Sequence, residues 1–312
     1  MAALALFVAC ASAPQPAAAR ETPMIRMDSV YPGARRFAFR DWHGREIDVW
    51  LYRPARAGAD APVVFVMHGL QRDADRYLQE WAPVADAYGA VLIVPEFSNA
   101  NFPGSAGYNL GGVFNRDGEP TPRANWSYSA LEPIFDAVVQ REQLTATAYL
   151  LYGHSAGGQF VHRFVMLGAG ARMARAVAAN PGWYTLPNTA TDWPYGLHDG
   201  PPAPAPEQMF SAPLFLVLGD RDIDPNHRSL SREPSAMAQG AYRFARGQYF
   251  YGAARAAAAE ANVPLNWGCL IAPGLAHDNA LAARYAAQVL FGGALPTGGD
   301  CLTMPSLVPD AR

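Results

Sequence analysis

Short apolar runs and segments of helical periodicity alternate along most of this 312-residue chain. Continuous runs of apolar, largely β-branched residues predict strands buried on both faces, whereas apolar positions three and four residues apart predict helices. The predicted strands are residues 63–67, 91–94, 148–152, 176–179, 214–218 and 265–271. The predicted helices are residues 74–88, 128–143, 156–167, 239–261 and 279–291. Ahead of them, residues 35–53 alternate apolar and polar side chains around a turn at 41–44, which predicts a hairpin.

This alternation predicts an α/β fold, in which right-handed crossovers build a mostly parallel central sheet with helices on both faces. Domains average roughly 150 residues, so the length allows two domains, but α/β chains of this size also fold as a single domain. We expect a single domain over residues 23–312. Because ligands bind at the carboxyl ends of parallel strands, functional side chains are expected just after the strands.

Two long segments interrupt the alternation. Residues 98–127 are rich in Gly, Asn and Pro and predict a surface loop, whose length makes it a functional candidate. Residues 183–212 contain two tryptophans and the Pro-rich sequence PPAPAP. They predict a flap inserted into the domain, because strands and helices resume after it.

Ser155 lies in the sequence Gly-His-Ser-Ala-Gly, between a predicted strand and a predicted helix. A serine hydroxyl is a weak nucleophile until it is exposed and paired with a base. A sharp strand-to-helix turn exposes it, and Gly153 and Gly157 avoid crowding that turn. The N–H of Ala156, at the start of the helix, is the predicted first donor to an oxyanion.

An acid and a histidine follow Ser155 in the order expected for a catalytic triad. Asp222 follows strand 214–218, with Asp220 and Asp224 as alternative acids, and His277 follows strand 265–271. In a triad, the serine attacks a carbonyl carbon, the histidine transfers the proton, and the acid orients the histidine.

Together these features resemble the α/β-hydrolase family over nearly all of residues 23–312. The matching motifs are the G-x-S-x-G turn, His68-Gly69 after the first buried strand, the G-x-x-D loop and the final G-x-x-H. The resemblance implies the α/β-hydrolase fold and favours Asp222 as the acid. It also places the second oxyanion donor at the Leu70 N–H, with Gln71 as the alternative. No cofactor is expected.

Within the family, three segments resemble exported polymer-degrading esterases of the poly(hydroxybutyrate) depolymerase and feruloyl esterase type. They are His68-Gly69, Val94-Pro95-Glu96-Phe97 and Asn180-Pro181-Gly182-Trp183. Bacterial poly(aspartic acid) hydrolases are also similar. The resemblance implies a serine hydrolase that cleaves carboxylic esters of a polyester or aryl type through an acyl-enzyme. The alternatives are an amide-cleaving hydrolase of an acidic polymer, an acyltransferase, and a non-catalytic binding protein on a hydrolase fold.

Several side chains in the predicted active-site loops are candidates for substrate binding. Arginines hold carboxylates through charge-assisted hydrogen bonds, and exposed aromatic rings stack on flat substrate groups. The alternative is that the arginines are solvated surface residues and that the tryptophans pack within their loops. The candidates are Gln71, Arg72, Trp126, Trp183, Arg221 and Arg228.

Composition narrows the classes of partner. The formal net charge is −3, so no bulk basic field attracts nucleic acid, and half of the residues are apolar, which allows a large core. No apolar run reaches the ~18 residues that span a bilayer. No histidine pair has the H-E-x-x-H spacing of a metal site, so no metal is expected.

Residues 1–22 are short, apolar and Ala-rich, which resembles a secretory signal. Cys10 follows Phe7-Val8-Ala9, which loosely resembles a lipoprotein box, so a lipid anchor at Cys10 is a further expectation. We therefore expect export to the periplasm, the medium or the outer membrane. Exported cysteines tend to pair, so Cys269 and Cys301 predict one disulfide, whereas in the cytosol they would be two buried thiols.

Overall fold

The computed structural model describes residues 22–308. The predicted export segment, apart from Thr22, and Cys10 lie outside the described residues. The strands are β1 (Ile25–Arg26), β2 (Arg35–Phe39), β3 (Ile47–Tyr52), β4 (Val63–Met67), β5 (Val91–Glu96), β6 (Tyr149–His154), β7 (Met173–Ala179), β8 (Leu214–Gly219), β9 (Trp267–Ala272) and β10 (Leu302–Thr303). The helices are α1 (Ala74–Tyr88), α2 (Gly104–Gly107), α3 (Leu131–Arg141), α4 (Ala156–Met166), α5 (Pro206–Ser211), α6 (Pro234–Met237), α7 (Arg243–Glu260) and α8 (Asn279–Phe291).

Within residues 22–308 the ten strands form one sheet in the order β1-β2-β3-β5-β4-β6-β7-β8-β9-β10. The pairs from β5 through β4 to β10 are parallel, and β1, β2 and β3 form an antiparallel edge. The predicted fold class is therefore confirmed. The expected hairpin is the β2–β3 pair, with Phe37 opposite Val49.

Apolar side chains cover both faces of the sheet, as the continuous apolar strands require. On one face α1 and α8 bury Trp81 and Tyr285 against the strands. On the other face α3, α4 and α7 contribute Phe135, Phe160 and Phe250 to a second core. Every residue of α4 is buried, so this helix and the strand before it are fixed within the core.

The interpretation of residues 98–127 as a surface loop holds for the exposed stretches, such as residues 115–120, but is wrong for the positions whose side chains enter the core. Tyr108, Val113 and Trp126 are buried, and the segment contains α2 and a short 3₁₀ turn at Arg123–Asn125. The Tyr108 ring lies 5.4 Å from the Phe160 ring of α4. Aromatic side chains supply enough apolar area to fold this Gly-rich segment back onto α4.

Residues 183–212 contain α5 and a β-bridge between Asp192 and His198. Trp183 and Tyr195, both from this segment, have ring centroids 4.4 Å apart. Whether the segment acts as a flap on one domain stays a prediction. Among the described residues, no helix combines the length and the apolar character needed to cross a membrane.

Cys269 in β9 and Cys301 form a disulfide, which confirms the predicted pair. The bridge joins positions 32 residues apart and fastens the segment before β10 to the edge of the sheet.

Replacing both cysteines by alanine is expected to lower the free energy of unfolding by about 3–4 kcal/mol, because the open chain regains loop entropy when it unfolds. Urea unfolding of the double variant and of wild type measures the difference. Alkylation of the unreduced protein in denaturant should modify neither Cys269 nor Cys301. Labelling of either residue would contradict the bridge.

Candidate active site

Ser155 occupies a sharp turn between β6 and α4. Its backbone has φ 59° and ψ −117°, a conformation that residues other than glycine rarely adopt. The flanking glycines make the turn possible. A Cβ on Gly153 would lie 2.2 Å from the Gly157 carbonyl oxygen, and a Cβ on Gly157 would lie 2.0 Å from the Met67 carbonyl oxygen. The close packing of β6, α4 and β4 therefore requires both glycines and presents a partly exposed Ser155.

His277 lies between Ser155 and Asp222. Its Nε2 is 3.0 Å from Ser155 Oγ, and its Nδ1 is 2.7 Å from Asp222 Oδ2. A carboxylate only accepts hydrogen bonds, so Nδ1–H donates to Asp222 and Nε2 is left to accept from the Ser155 hydroxyl. This arrangement suits removal of the hydroxyl proton by His277.

The three candidate acids have different partners. Asp222 is 3% exposed and contacts His277, as above. Asp220 accepts from the Gly274 N–H, and Asp224 accepts from the Asn226 N–H. Asp220 thus joins the loop after β8, which carries Asp222, to the loop after β9, which carries His277. Asp224 stabilises its own turn.

Arg243, a buried residue of α7, forms an ion pair with Asp222. Its Nη1 lies 3.2 Å from Asp222 Oδ1, and its Nη2 donates to Ser229 Oγ at 2.9 Å. Burial lowers the pKa of Arg243, and the charge of Asp222 opposes that change. The side chain fixes the carboxylate and ties it to the following loop. The role of Arg243 was not predicted, because nothing in the local sequence distinguishes it from the other arginines.

The His154 ring packs against the His277 ring, with centroids 4.6 Å apart and ring planes tilted by 37°. Burial lowers the pKa of His154 well below its usual value, with the nearby His277 and Arg243 adding to the effect. Its Nδ1 lies 3.2 Å from the Tyr77 hydroxyl. A neutral ring therefore packs on the proposed base and adds no positive charge beside it.

The loop after β4 brings the Leu70 N–H to the same edge of the sheet. Ala156 is the first residue of α4, so its N–H has no partner within the helix. No backbone carbonyl of the described residues accepts from the N–H of Leu70, Gln71 or Ala156. Both predicted donors, and the alternative at Gln71, are thus available at this edge.

Arg72, a candidate substrate ligand, is buried instead. It donates to the carbonyl oxygens of Phe97 and Gly104, and its guanidinium lies 4.4 Å from the Tyr108 ring. The prediction for Arg72 needs correction, because the side chain anchors the loop that carries Leu70 and does not reach the site surface.

The other substrate-binding candidates divide by exposure. Trp126 is 4% exposed and donates to the Thr121 carbonyl, so its predicted contact with substrate is also corrected. Arg221 is exposed beside Asp220 and lines neither cavity at Ser155. Gln71, Trp183 and Arg228 do line these cavities.

Two cavities open on either side of Ser155. The histidine-side cavity, about 440 Å³, is lined by Gln71, Arg76, Tyr77, His154, His277, Asp278 and Asn279. The helix-side cavity, about 420 Å³, is lined by Asn109, Ala156, Gln159, Gly182, Trp183, Tyr195, Ser231 and Glu233. Leu70, Ser155, Arg228 and Ser229 border both. A substrate bound across Ser155 would place one half in each cavity.

Two hydrolases are among the solved structures that are similar to this chain. Poly(aspartic acid) hydrolase-1 from Sphingomonas sp. KT-1 is 42% identical with a TM-score of 0.80, and the match covers 83% of this chain and 98% of that one. A poly(3-hydroxybutyrate) depolymerase from Bordetella parapertussis is 34% identical with a TM-score of 0.78, covering 85% and 92% of the two chains. No protein-family model and no curated protein sequence matches.

A more distant structure, an S-formylglutathione hydrolase from Agrobacterium tumefaciens, shares the fold alone, at 16% identity and a TM-score of 0.51 over 83% of this chain and 94% of that one. The fold and these similarities define an enzyme of the hydrolase class. More particularly, the chain belongs to the α/β-hydrolase esterase family, with a poly(aspartic acid) hydrolase and a poly(3-hydroxybutyrate) depolymerase among its similar structures.

Proposed function

We propose that this protein is an exported serine hydrolase that cleaves carboxylic ester bonds of a polyester or aryl ester through an acyl-enzyme. The observation that carries the proposal is the continuous hydrogen-bonded series from Ser155 Oγ through His277 to Asp222, at 3.0 and 2.7 Å. Ser155 attacks the carbonyl carbon as His277 Nε2 takes its proton. His277 then protonates the leaving group, and water repeats the sequence to release the acid.

The N–H groups of Leu70 and Ala156 stabilise the oxyanion in this mechanism. Losing one such donor typically costs about 3–4 kcal/mol of transition-state stabilisation. Asp222 holds His277 in the required tautomer, and Arg243 holds Asp222. Gln71, Trp183 and Arg228 contact the substrate from the two cavity walls.

Export is supported by the Ala-rich segment at residues 1–22 and by the Cys269–Cys301 disulfide. A lipid anchor at Cys10 is a separate prediction. We further propose that residues 23–312 form one domain and that residues 183–212 act as a flap beside the helix-side cavity, since Trp183 and Tyr195 line it.

The second candidate function is hydrolysis of amide bonds in an acidic polymer such as poly(aspartic acid), with the same triad. The identity of 42% to a poly(aspartic acid) hydrolase favours it. So does Arg228, an exposed cation that borders both cavities and could bind a carboxylate of the polymer.

A side-by-side assay tests the two candidates. Purified protein is given p-nitrophenyl butyrate, poly(hydroxybutyrate) or poly(aspartic acid), and Ser155→Ala gives the background for each substrate. We expect hydrolysis of at least one ester well above that background. Cleavage of poly(aspartic acid) alone would replace the ester proposal by the amide one. No turnover above background on any substrate would contradict both.

A further inference from the structure

Arg163 of α4 is buried behind the helix-side cavity and is fully inaccessible to solvent. Its Nη1 donates to the carbonyl oxygens of Asn109 and Gln159 at 3.1 and 3.0 Å. Its Nε donates to Thr185 Oγ1 at 2.7 Å, and its Nη2 has no partner among the described residues. The polar partners around this cation are therefore neutral.

Arg246 of α7 is a second fully buried arginine on the same side. It donates to the carbonyl oxygens of Gly182, Ser231 and Gly240 at 2.7, 2.9 and 2.8 Å. Gly182 and Ser231 line the helix-side cavity, just as Asn109 and Gln159 do. Both guanidinium groups thus lie directly behind the cavity wall.

No carboxylate within residues 22–308 forms an ion pair with Arg163 or Arg246. Burial lowers the pKa of Arg163 to about 10 and also lowers that of Arg246. The guanidinium group of arginine keeps its proton in proteins, so both side chains are cations at neutral pH. The groups that raise these two pKa values are tyrosines, Tyr128 and Tyr195. The nearby Arg243 differs, because it has Asp222 as its partner. Buried cations without an acid are costly, and an anion in the adjacent cavity would offset part of that cost.

In the histidine-side cavity, by contrast, positive charge is matched by carboxylates. Its Arg76 is held by Asp73 and Glu80 at 2.6 and 2.7 Å, and Asp278 lines the same wall. Of the remaining charges, Arg228 borders both cavities, and the exposed Glu233 lies at the helix-side cavity. The surplus positive charge is therefore on the helix side of Ser155.

The proposed mechanism decides which half of the substrate enters each cavity. His277 must protonate the leaving group, and it lines the histidine-side cavity but not the other. Ala156, the proposed oxyanion donor, lines the helix-side cavity but not the first. The leaving group therefore belongs on the histidine side, and the acyl chain belongs on the helix side.

We propose that the helix-side cavity is an acyl subsite that selects acyl groups carrying a carboxylate, through the positive charge of Arg163 and Arg246 behind its wall. The inference rests on the proposed function. Trp183 separates Arg163 from the cavity, with the guanidinium 4.2 Å from its ring, and so it offers the acyl chain an apolar surface in the field of the cation. The natural acyl half is then a dicarboxylic acid or an acidic amino acid.

Two esters with the same leaving group and similar chain length test the subsite, mono-4-nitrophenyl succinate and 4-nitrophenyl pentanoate. Wild type is expected to show a kcat/KM for the succinate about tenfold above that for the pentanoate, because unit charges interact strongly across a partly buried wall. Ser155-dependent hydrolysis of the pentanoate without preference for the succinate would overturn the subsite and leave the proposed function standing. If wild type hydrolyses neither ester faster than Ser155→Ala does, the proposed function is overturned and the subsite with it.

Variants then test the source of the preference. Melting temperatures first show whether Arg163→Met and Arg246→Met fold. Each folded variant should reduce the preference for the succinate over the pentanoate severalfold. Gln159→Glu covers the case in which they do not fold, because it adds a carboxylate one helical turn before Arg163 in the lining of the same cavity, and this carboxylate can still accept from Asn109 Nδ2. We expect it to abolish the preference. Gln140→Glu makes the same change on an exposed position of α3 and should behave as wild type. An unchanged preference in Gln159→Glu would overturn the subsite.

Discussion

Ser155→Ala is expected to lower kcat by a factor of about 10⁴–10⁶ and to leave the melting temperature close to that of wild type. The hydroxyl is the atom that attacks the carbonyl in the proposed mechanism, and His277 has no other hydroxyl partner among the described residues. Alanine keeps the Cβ and the positive φ of this position, so packing of the turn changes little. Steady-state kinetics with p-nitrophenyl butyrate and a thermal melt measure the two quantities.

Ser211→Ala is the matched control, because this exposed serine only donates to the Gln208 carbonyl. It should retain wild-type kinetics. The residual rate of Ser155→Ala comes from binding and from the oxyanion donors, which remain in place. Turnover above a few per cent of wild type in Ser155→Ala would mean that another group is the nucleophile.

The regular elements were predictable where one local signal dominates. The run at residues 63–67 is β4 as predicted, because five consecutive buried side chains fit a central parallel strand. Helices 74–88 and 279–291 match α1 and α8, because each has a clear apolar face and a local boundary, Gly89 after the first and Asp278 before the second. The burial of Tyr108 within residues 98–127 was not predictable, because it depends on tertiary contact between its ring and α4.

In the candidate site, too, some features follow from local sequence signals and others depend on tertiary packing. The approach of Ser155, Asp222 and His277 could be expected from sequence, because each follows a parallel strand and these strands end at one edge of the sheet. Arg72 and Trp126 were misassigned, because the direction of a loop side chain depends on tertiary packing. Arg163, Arg243 and Arg246 lie within or at the start of helices, and only the folded chain shows which of them meets a carboxylate.

Acid is expected to destabilise the fold steeply below about pH 6.5, because three buried histidines must stay neutral. They are His68, His154 and His162. Burial lowers the pKa of His68 to about 3 and lowers the pKa values of the other two well below their usual range. The unfolded chain binds these protons near pH 6.5, whereas the folded chain does not, so stability is complete above that pH and falls below it.

Hydrogen bonds explain why protonation is unfavourable. The Nε2 of His68 accepts from the Phe97 N–H at 3.0 Å, and the Nε2 of His162 accepts from the Thr185 N–H at 3.1 Å. A proton on either atom would face a donor. The Nε2 of His154 is buried with no partner among the described residues, so a proton there would find no acceptor. Each group contributes about 1.4 kcal/mol per pH unit, and the three together contribute about 4 kcal/mol per pH unit.

Urea unfolding at pH 7.5, 6.0 and 5.0 measures this slope by linear extrapolation. His162→Gln removes one titrating group while its amide still offers a donor for the Gly158 carbonyl and an acceptor for the Thr185 N–H. Its stability should fall by about 1.4 kcal/mol per pH unit less than that of wild type. The exposed His43→Gln should keep the wild-type slope. If the slopes of His162→Gln and wild type are equal, the proton is taken up elsewhere, and burial of a neutral His162 does not limit acid stability.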